Sequence, residues 1–434
     1  MHAPTSGWAG RSGDPAEPLT VVIDARIKSA ESGGVEGILV GLAASLSELT
    51  DGPERYLFLG LEGQDDWLAD HVSGSAQLIH EPKRLTSQST AAIKKGLASI
   101  SPGGARLWRR ARPPSLEVVA PRPDPFVESL GPDVVHMPFQ KGFLTRVPSI
   151  YHPHDLQHLH FPAFFPAQLR AWRELWYREL CAMATLVAVS SSWTKTDLVA
   201  NYGLDPQKVA VVPLAPMTEA YPVPSHDTIR ETAARLGLPR TYVLYPAQTW
   251  RHKNHVTLLR ALAHLRVDGV VIPLVCTGLE NEFSPELRRQ ASEFGVADQV
   301  NWLGFVSPTD LQVVYACARA VVIPSLFESA SGPLWEGFRA GIPVVCSDVT
   351  SLPEQAGDAA LLVDPNDHEL WARAIQEIVH NGPLRARLIA AGRVRVGSFT
   401  WGRTARIFRA HYRQLGTGRL TKNDQELLEA SAGL

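Results

Sequence analysis

Residues 321–348 read VVIPSLFESASGPLWEGFRAGIPVVCSD. Val321 to Pro324 and Ile342 to Cys346 are short continuous apolar runs, the pattern of strands buried on both faces. Between them lie a Gly/Ser-rich turn and a short helical pattern with an acidic residue inside. Glu328 and Glu336 bracket the turn, with seven residues between them. A small-residue turn feeding a helix N-terminus presents N–H groups that have no intrahelical acceptor, and the helix dipole favours an anion there. Carboxylates flanking such a turn accept hydrogen bonds from vicinal hydroxyls. Phosphate on the backbone and hydroxyls on the carboxylates together describe a nucleotide-sugar.

Working outward, apolar runs alternate with helical patterns along the whole chain, the signature of βαβ units and parallel sheets. The first half predicts strands at Leu19–Asp24, Tyr56–Gly60, Gln77–His80, Val134–Met137, Ser149–His152, Leu186–Ser190 and Val209–Val212. Prolines and a polar helix, Asp227–Leu236, then mark a linker. A second series follows at Tyr242–Tyr245, Pro273–Thr277, Val300–Leu303, Ala320–Pro324, Val344–Cys346 and Ala360–Val363, with helices such as Val256–Leu265 and Glu369–His380 between strands. The expected class is α/β, with two Rossmann-like, doubly wound parallel-sheet domains. Such sheets place a ligand in a cleft at their carboxyl ends. The expected division is a disordered 1–18, a first domain 19–215, a linker 216–240, a second domain 241–398, a final helical segment 399–416 and a tail 417–434.

At 434 residues the chain is too long for one core. Its 45% apolar and 20% charged content is ordinary for a globular protein, and a net charge of −2 implies no overall field for polyanions. Cys181, Cys276, Cys317 and Cys346 are far apart and mostly in apolar patterns, which reads as buried thiols in a reducing compartment. The N-terminal MHAPTSGWAGRSGDPAEP has no apolar core of a secretory signal, and no apolar run approaches a membrane span. A cytoplasmic protein is expected. The stretch 83–112 holds eight basic residues and no acidic one, with Leu107 and Trp108 interleaved. It reads either as a peripheral contact for anionic lipid or a phosphate-bearing acceptor, or as a solvated insertion. Few aromatics there speak against nucleic acid.

Four further clusters carry chemistry. Gly33-Gly34 follows the first strand and precedes a helical pattern, a place where backbone N–H groups meet a diphosphate. GGVEG lacks the G-x-G-x-x-G spacing of a dinucleotide site, which disfavours a dehydrogenase. His154-Asp155 ends a strand, where a His faces the cleft and Asp155 is placed to hold its ring. The i, i+4 pair His154 and His158 raises a metal reading, weakened by the lack of an adjoining Glu or Cys. Lys253 lies between a strand and a helix, where a cation neutralises a leaving diphosphate. Ser190-Ser191-Ser192 ends another strand and reads mainly as a helix cap.

The opening motif, with Pro333 in register and AGIPVV after it, resembles the donor-site signature of the family 4 retaining glycosyltransferases, which have the GT-B fold. The resemblance spans about Val21 to Leu415 and is strongest over 241–363. It implies that Glu336 binds the ribose hydroxyls and Glu328 the transferred sugar. It also implies that N–H groups of Ser331, Gly332 and Leu334 beside Pro333 bind phosphate or sugar, and that Leu303-Gly304-Phe305-Val306 meets the nucleobase. By the same resemblance Gly33 and Gly34 touch donor phosphate or acceptor, His154 lies beside the donor sugar and β-phosphate, Lys253 binds phosphate, and the Trp401–Leu415 helix crosses back to the first domain. This chain has Ala247 where the family often has an Arg, so either Arg251 takes over or one charge is missing. Ser329-Ala330-Ser331-Gly332-Pro333 stands where relatives have Gly-Phe-Gly-Leu-Pro, which leaves the sugar pocket open to difference.

The implied activity is transfer of a hexose from a nucleoside-diphosphate sugar, GDP- or UDP-linked with a lean to GDP-mannose, to a hydroxyl of a glycan or lipid-linked acceptor. Bacterial polysaccharide synthesis is the implied setting. No cofactor is expected, and no diphosphate-bound metal, because the sequence has no D-x-D. No second carboxylate is placed for a double displacement, so same-face attack is the expected route. The alternatives are a non-catalytic nucleotide-sugar-binding or partner subunit, and another nucleotide-sugar enzyme of the same fold such as an epimerase or synthase.

Overall fold

The computed structural model describes residues 18–29, 34–82 and 118–432. The expectations for the first 17 residues, for Gly33 and for the basic stretch 83–112 lie outside the described residues. Among the described residues, thirteen strands form two sheets. The first contains β1 (Thr20–Asp24), β2 (Arg55–Gly60), β3 (Ala76–His80), β4 (Val134–Met137), β5 (Ser149–Tyr151), β6 (Leu186–Val189) and β7 (Val209–Val211) in the order β3-β2-β1-β4-β5-β6-β7. The second contains β8 (Val243–Pro246), β9 (Leu274–Thr277), β10 (Val300–Gly304), β11 (Ala320–Ile323), β12 (Val344–Ser347) and β13 (Ala360–Val363) in the order β10-β9-β8-β11-β12-β13. Neighbouring strands run parallel throughout.

The strands are apolar on both faces because helices cover both. On β1, Val21 and Ile23 enter one core with Tyr56 and Phe58, while Val22 enters the other with Leu57 and Leu59. Successive side chains of a strand point to opposite faces, so a continuous Val/Ile run is what a two-sided sheet requires. The second sheet is buried the same way, with Val243, Leu244, Val321, Val322, Val344 and Val345 all in one core.

Each sheet reverses its strand order once, at β1/β4 and at β8/β11. Connections leave such a point in opposite directions and open a crevice beyond the strand ends. The segments following β8 and β11 are 247–254 and 324–331, which brings the Lys253 region against the opening motif.

The helix Trp401–Gly416 packs in the first domain, not the second. Trp401, Phe408 and Tyr412 belong to the core that holds Val21 and Ile23. Gly41 makes this possible: a Cβ there would lie 2.1 Å from the Trp401 ring. Beyond it, where the sequence reads as a tail, a further helix Lys422–Ala432 forms. Arg413 explains it, since its guanidinium lies between Glu54 (2.6 Å) and Asp424 (2.9 Å). Two buried carboxylates on one guanidinium tie the last helix to both the crossover helix and the entry to β2.

Candidate active site

A cavity of about 1100 Å³ opens between the two sheets. His154, Asp155, Arg173, Phe164, Phe165 and Trp172 line it from the first domain; Arg251, Lys253, Glu328, Ser329, Ala330 and Gly332 line it from the second.

On the second-domain wall, Lys253 Nζ donates to Glu328 Oε1 at 2.6 Å. Both side chains are mostly shielded, with 20% and 7% of their surface exposed. The same Oε1 accepts from Ser325 Oγ at 2.6 Å. The backbone of Glu328 is clamped as well: its N–H donates to Thr350 Oγ1, and its carbonyl accepts from the hydroxyls of Thr350 and Ser351. Lys253 sits at a sharp turn whose next residue, Asn254, takes φ +56°. Asn254 Nδ2 donates to the carbonyls of Pro324 and Pro365, locking that turn onto the end of β11. An ammonium has three donors, and one is spent on Glu328.

Helix Gly332–Arg339 starts at the cavity. Its N-cap residue Ser331 gives its N–H to Gln355 Oε1 at 3.0 Å. Pro333 has no N–H, so the first-turn donors with no intrahelical acceptor are those of Gly332 and Leu334. Of the motif's expected phosphate donors, Ser331 is therefore committed to the protein. Arg251 reaches the cavity, and its guanidinium stacks 4.5 Å over Phe283. Phe305 is 55% exposed, and neither it nor Val306 lines the cavity.

Glu336 is placed differently from the expectation. It is buried and absent from the cavity lining. Its carboxylate accepts from the N–H of Thr218 at 2.8 Å and from the Thr218 hydroxyl, and burial raises its pKa above the usual glutamate value. Thr218 belongs to the linker, and the neighbouring Met217 side chain fills the space beside Gly34, Gly37 and Gly332. An added Cβ at Gly34 or Gly37 would meet Met217 at 2.8 or 2.7 Å. So the second glutamate of the motif anchors the linker, and Gly34, which lines the cavity, is also a packing glycine.

On the first-domain wall, His154 follows β5 with φ +66°. A left-handed conformation is costly for a non-glycine residue and tends to mark a functional position. His154 Nε2 donates to the Pro138 carbonyl at 3.0 Å, which leaves Nδ1 as an acceptor. Burial lowers the pKa of His154, so the ring is neutral near pH 7 and can accept from a hydroxyl. Asp155 does not hold this ring. Its Oδ1 accepts from Gln157 N–H at 2.9 Å and from Arg173 at 3.3 Å, because the turn into helix Gln157–His160 exposes that N–H.

The neighbouring histidines have other roles. His152 Nε2 and His136 Nε2 lie 3.0 Å apart, and His136 Nδ1 meets the Tyr412 hydroxyl at 2.6 Å, a buried chain reaching the crossover helix. His158 meets Glu174 and His160 meets Asp197. No group of three His, Cys, Asp or Glu residues that could hold a metal occurs among the described residues. Ser191 caps helix Ser192–Tyr202 through Thr194 N–H. Sequence reading missed Arg173, Thr218 and Gln355, which lie on helices and a linker with no local motif to mark them.

A family model described as Glycosyl transferases group 1 matches residues 230–395, and one described as Glycosyltransferase Family 4 matches residues 76–216. The chain belongs to the family 4 glycosyltransferases. This family 4 chain is 26% identical over 273 residues to O-antigen chain mannosyltransferase B of Escherichia coli, covering 60% of itself and 71% of that protein. It is 27% identical over 303 residues to D-inositol 3-phosphate glycosyltransferase of Corynebacterium diphtheriae, covering 64% and 70%. Among solved structures, Anabaena HepE in complex with UDP and glucose matches with TM-score 0.65 at 17% identity over 91% of this chain and 99% of that one. WaaG, a glycosyltransferase involved in lipopolysaccharide biosynthesis, matches with TM-score 0.61 at 15% identity, covering 92% of this chain and 100% of that one. The fold is GT-B.

Proposed function

We propose that this glycosyltransferase moves a hexose from a nucleoside-diphosphate sugar to a hydroxyl of a glycan or lipid-linked acceptor, with retention and without a metal. The supporting observation is the Lys253–Glu328 pair at the β8/β11 reversal, in one cavity with the neutral His154 of the opposite domain. In this reading Glu328 accepts from hydroxyls of the transferred sugar. Lys253 and the N–H groups of Gly332 and Leu334 hold the diphosphate, and Arg251 adds charge at the rim. The bond from the anomeric carbon to the diphosphate oxygen breaks, and its electron pair leaves on the diphosphate, where Lys253 stabilises it. The acceptor oxygen bonds to the same face of that carbon and passes its proton to a leaving phosphate oxygen. His154 Nδ1 accepts from a sugar hydroxyl and fixes the anomeric carbon in place.

GDP-mannose is our donor of first choice, supported by the motif resemblance and by the mannosyltransferase relative. A thermal-shift series tests the reading with GDP, UDP, ADP, dTDP and their sugars, with and without EDTA, followed by nucleoside diphosphate release on turnover. A ligand that binds only the folded state raises the midpoint by mass action. The expected result is a shift with guanine compounds that EDTA leaves unchanged and that K253A reduces. A shift with uracil compounds alone would replace the donor. A shift without any release of diphosphate would turn the reading to a binding subunit.

A further inference from the structure

Two pairs of consecutive residues divide their work between the domains. In the first pair, Glu328 serves the donor wall while Phe327, which also borders the cavity, packs against the first domain. The Phe327 ring is 3% exposed, and its aromatic neighbours all come from the first domain: Trp193 at 5.3 Å edge-on, His160 at 5.4 Å and Phe161 at 6.2 Å edge-on. In the second pair, Gln355 binds the donor turn through Ser331 N–H and the Ser329 carbonyl, while Glu354 reaches across the cleft. Its Oε1 accepts from Ser192 N–H at 2.9 Å and its Oε2 from Trp193 N–H at 3.0 Å. Those are the first two N–H groups of helix Ser192–Tyr202, which has no carboxylate of its own in its first turn. Its N-cap Ser191 serves Thr194 instead.

We propose that Glu354 and Phe327 are positioning residues that couple contact between the domains to the set of the donor turn. A carboxylate on a helix N-terminus satisfies orphan donors and the helix dipole together. Here the carboxylate and the helix belong to different domains, so the contact exists only while the cleft is narrow. The ring of Phe327 is dry only in the same state, and opening the cleft exposes it. Each latch residue is the chain neighbour of a donor-wall residue, so releasing the latch frees Glu328 and Gln355 on one side. The helix that carries Glu354 is pinned from behind: Arg395 donates to the carbonyls of Glu354 and Gln355. The latch therefore moves as a unit with the second domain.

The coupling to catalysis rests on the proposed function; the latch itself does not. The test separates them by using the full chain and two readouts. Small-angle scattering of wild type, E354K, E354Q and F327L reports the spread of the domains. E354K places an ammonium against a helix N-terminus and should enlarge the radius of gyration; E354Q keeps one acceptor and should lie between it and wild type. F327L keeps an apolar filler but loses the aromatic seat, and should enlarge the radius less than E354K. Equal radii for all four proteins overturn the proposal, whatever the activity shows. The second readout is steady-state kinetics with the donor found by thermal shift. E354K should raise KM for the donor about tenfold, the size expected from reversing a charge at a helix terminus, with the denaturation midpoint nearly unchanged because Glu354 is on the surface. A larger radius with unchanged KM and kcat would leave a hinge contact and overturn the coupling. A larger radius in a protein that turns over no nucleotide-sugar would support the latch and count against the function.

Discussion

The two walls of the cleft are built by different means. The second-domain wall is a hydrogen-bonded lattice: Lys253, Ser325, Thr350, Ser351 and Asn254 hold Glu328 and the turns around it. The first-domain wall sets aromatic rings among charged side chains: Phe165 stacks under Arg173 at 4.8 Å, Trp172 lies 5.1 Å from Trp176, and His154, in a left-handed backbone, shares the wall with Asp155 and Arg173. A wall of fixed hydrogen bonds suits a ligand with an invariant part, such as a diphosphate. An aromatic wall sets fewer directional demands and suits a partner that differs between relatives.

The largest effect should come from K253A. It leaves the Glu328 carboxylate shielded and without its counter-charge, so turnover should fall by roughly 10²–10³-fold and stability by about 1–3 kcal/mol, given that the lysine is partly solvated. Single-turnover diphosphate release and urea unfolding measure the two. Unchanged turnover would remove the donor wall from the reaction. On the other wall, H154A should lower kcat by roughly 10²-fold. H154G should lose the same activity yet be about 1 kcal/mol more stable than H154A, because glycine accepts the positive φ. If the two variants unfold alike, the His154 backbone is not strained.

The third test concerns the linker between the walls. T218V removes the hydroxyl that serves Glu336 and should cost about 1–2 kcal/mol at pH 7. Glu336 also predicts a pH slope. Its folded-state pKa is raised by burial above the usual glutamate value. The folded protein therefore holds this proton more tightly than the unfolded chain. This contribution to stability is complete below the unfolded pKa and is lost as pH rises through the folded one. Wild type should lose stability as pH climbs from the ordinary glutamate range, and E336Q should lack that share of the slope. Parallel urea-midpoint curves for the two proteins would contradict the assignment. The smallest effect is expected for Y412F, which deletes the hydroxyl on His136 and should cost about 1 kcal/mol with little change in turnover.

The same contrast decides what could be read in the sequence. The donor wall is local: Glu328 and Lys253 each lie a few residues past a buried strand, and the reversal at β8/β11 brings those strand ends together. Apolar runs bounded by Gly, Pro and Ser mark the thirteen strands of the described residues to within two residues at each end. What escaped reading depends on long-range packing. Glu336 has the spacing of a ligand residue, but its partner Thr218 is 118 positions away, and nothing local marks that threonine. Asp155 stands beside His154 in sequence, yet a strand-end turn sends its carboxylate to Gln157 and Arg173. The Lys422–Ala432 helix exists because Arg413 bridges Glu54 and Asp424, a link that no periodicity reveals.

The packing of Trp401, Phe408 and Tyr412 into the first domain has a consequence for how the protein is made. Synthesis proceeds from the N-terminus, and domains generally fold as units while the chain emerges. The first domain's core is closed by residues 401–412, with Leu415, Leu427 and Leu428 packed against it, and all of these follow the entire second domain. During translation the face of Gly41 and the buried His136 stay without their cover until residues 401–412 emerge. The domain begun first is finished last, and the second domain, whose core draws on residues 236–399, is ready before it. A chain ending at residue 399 and released from the ribosome should therefore protect its second half from protease while its first half is still cut.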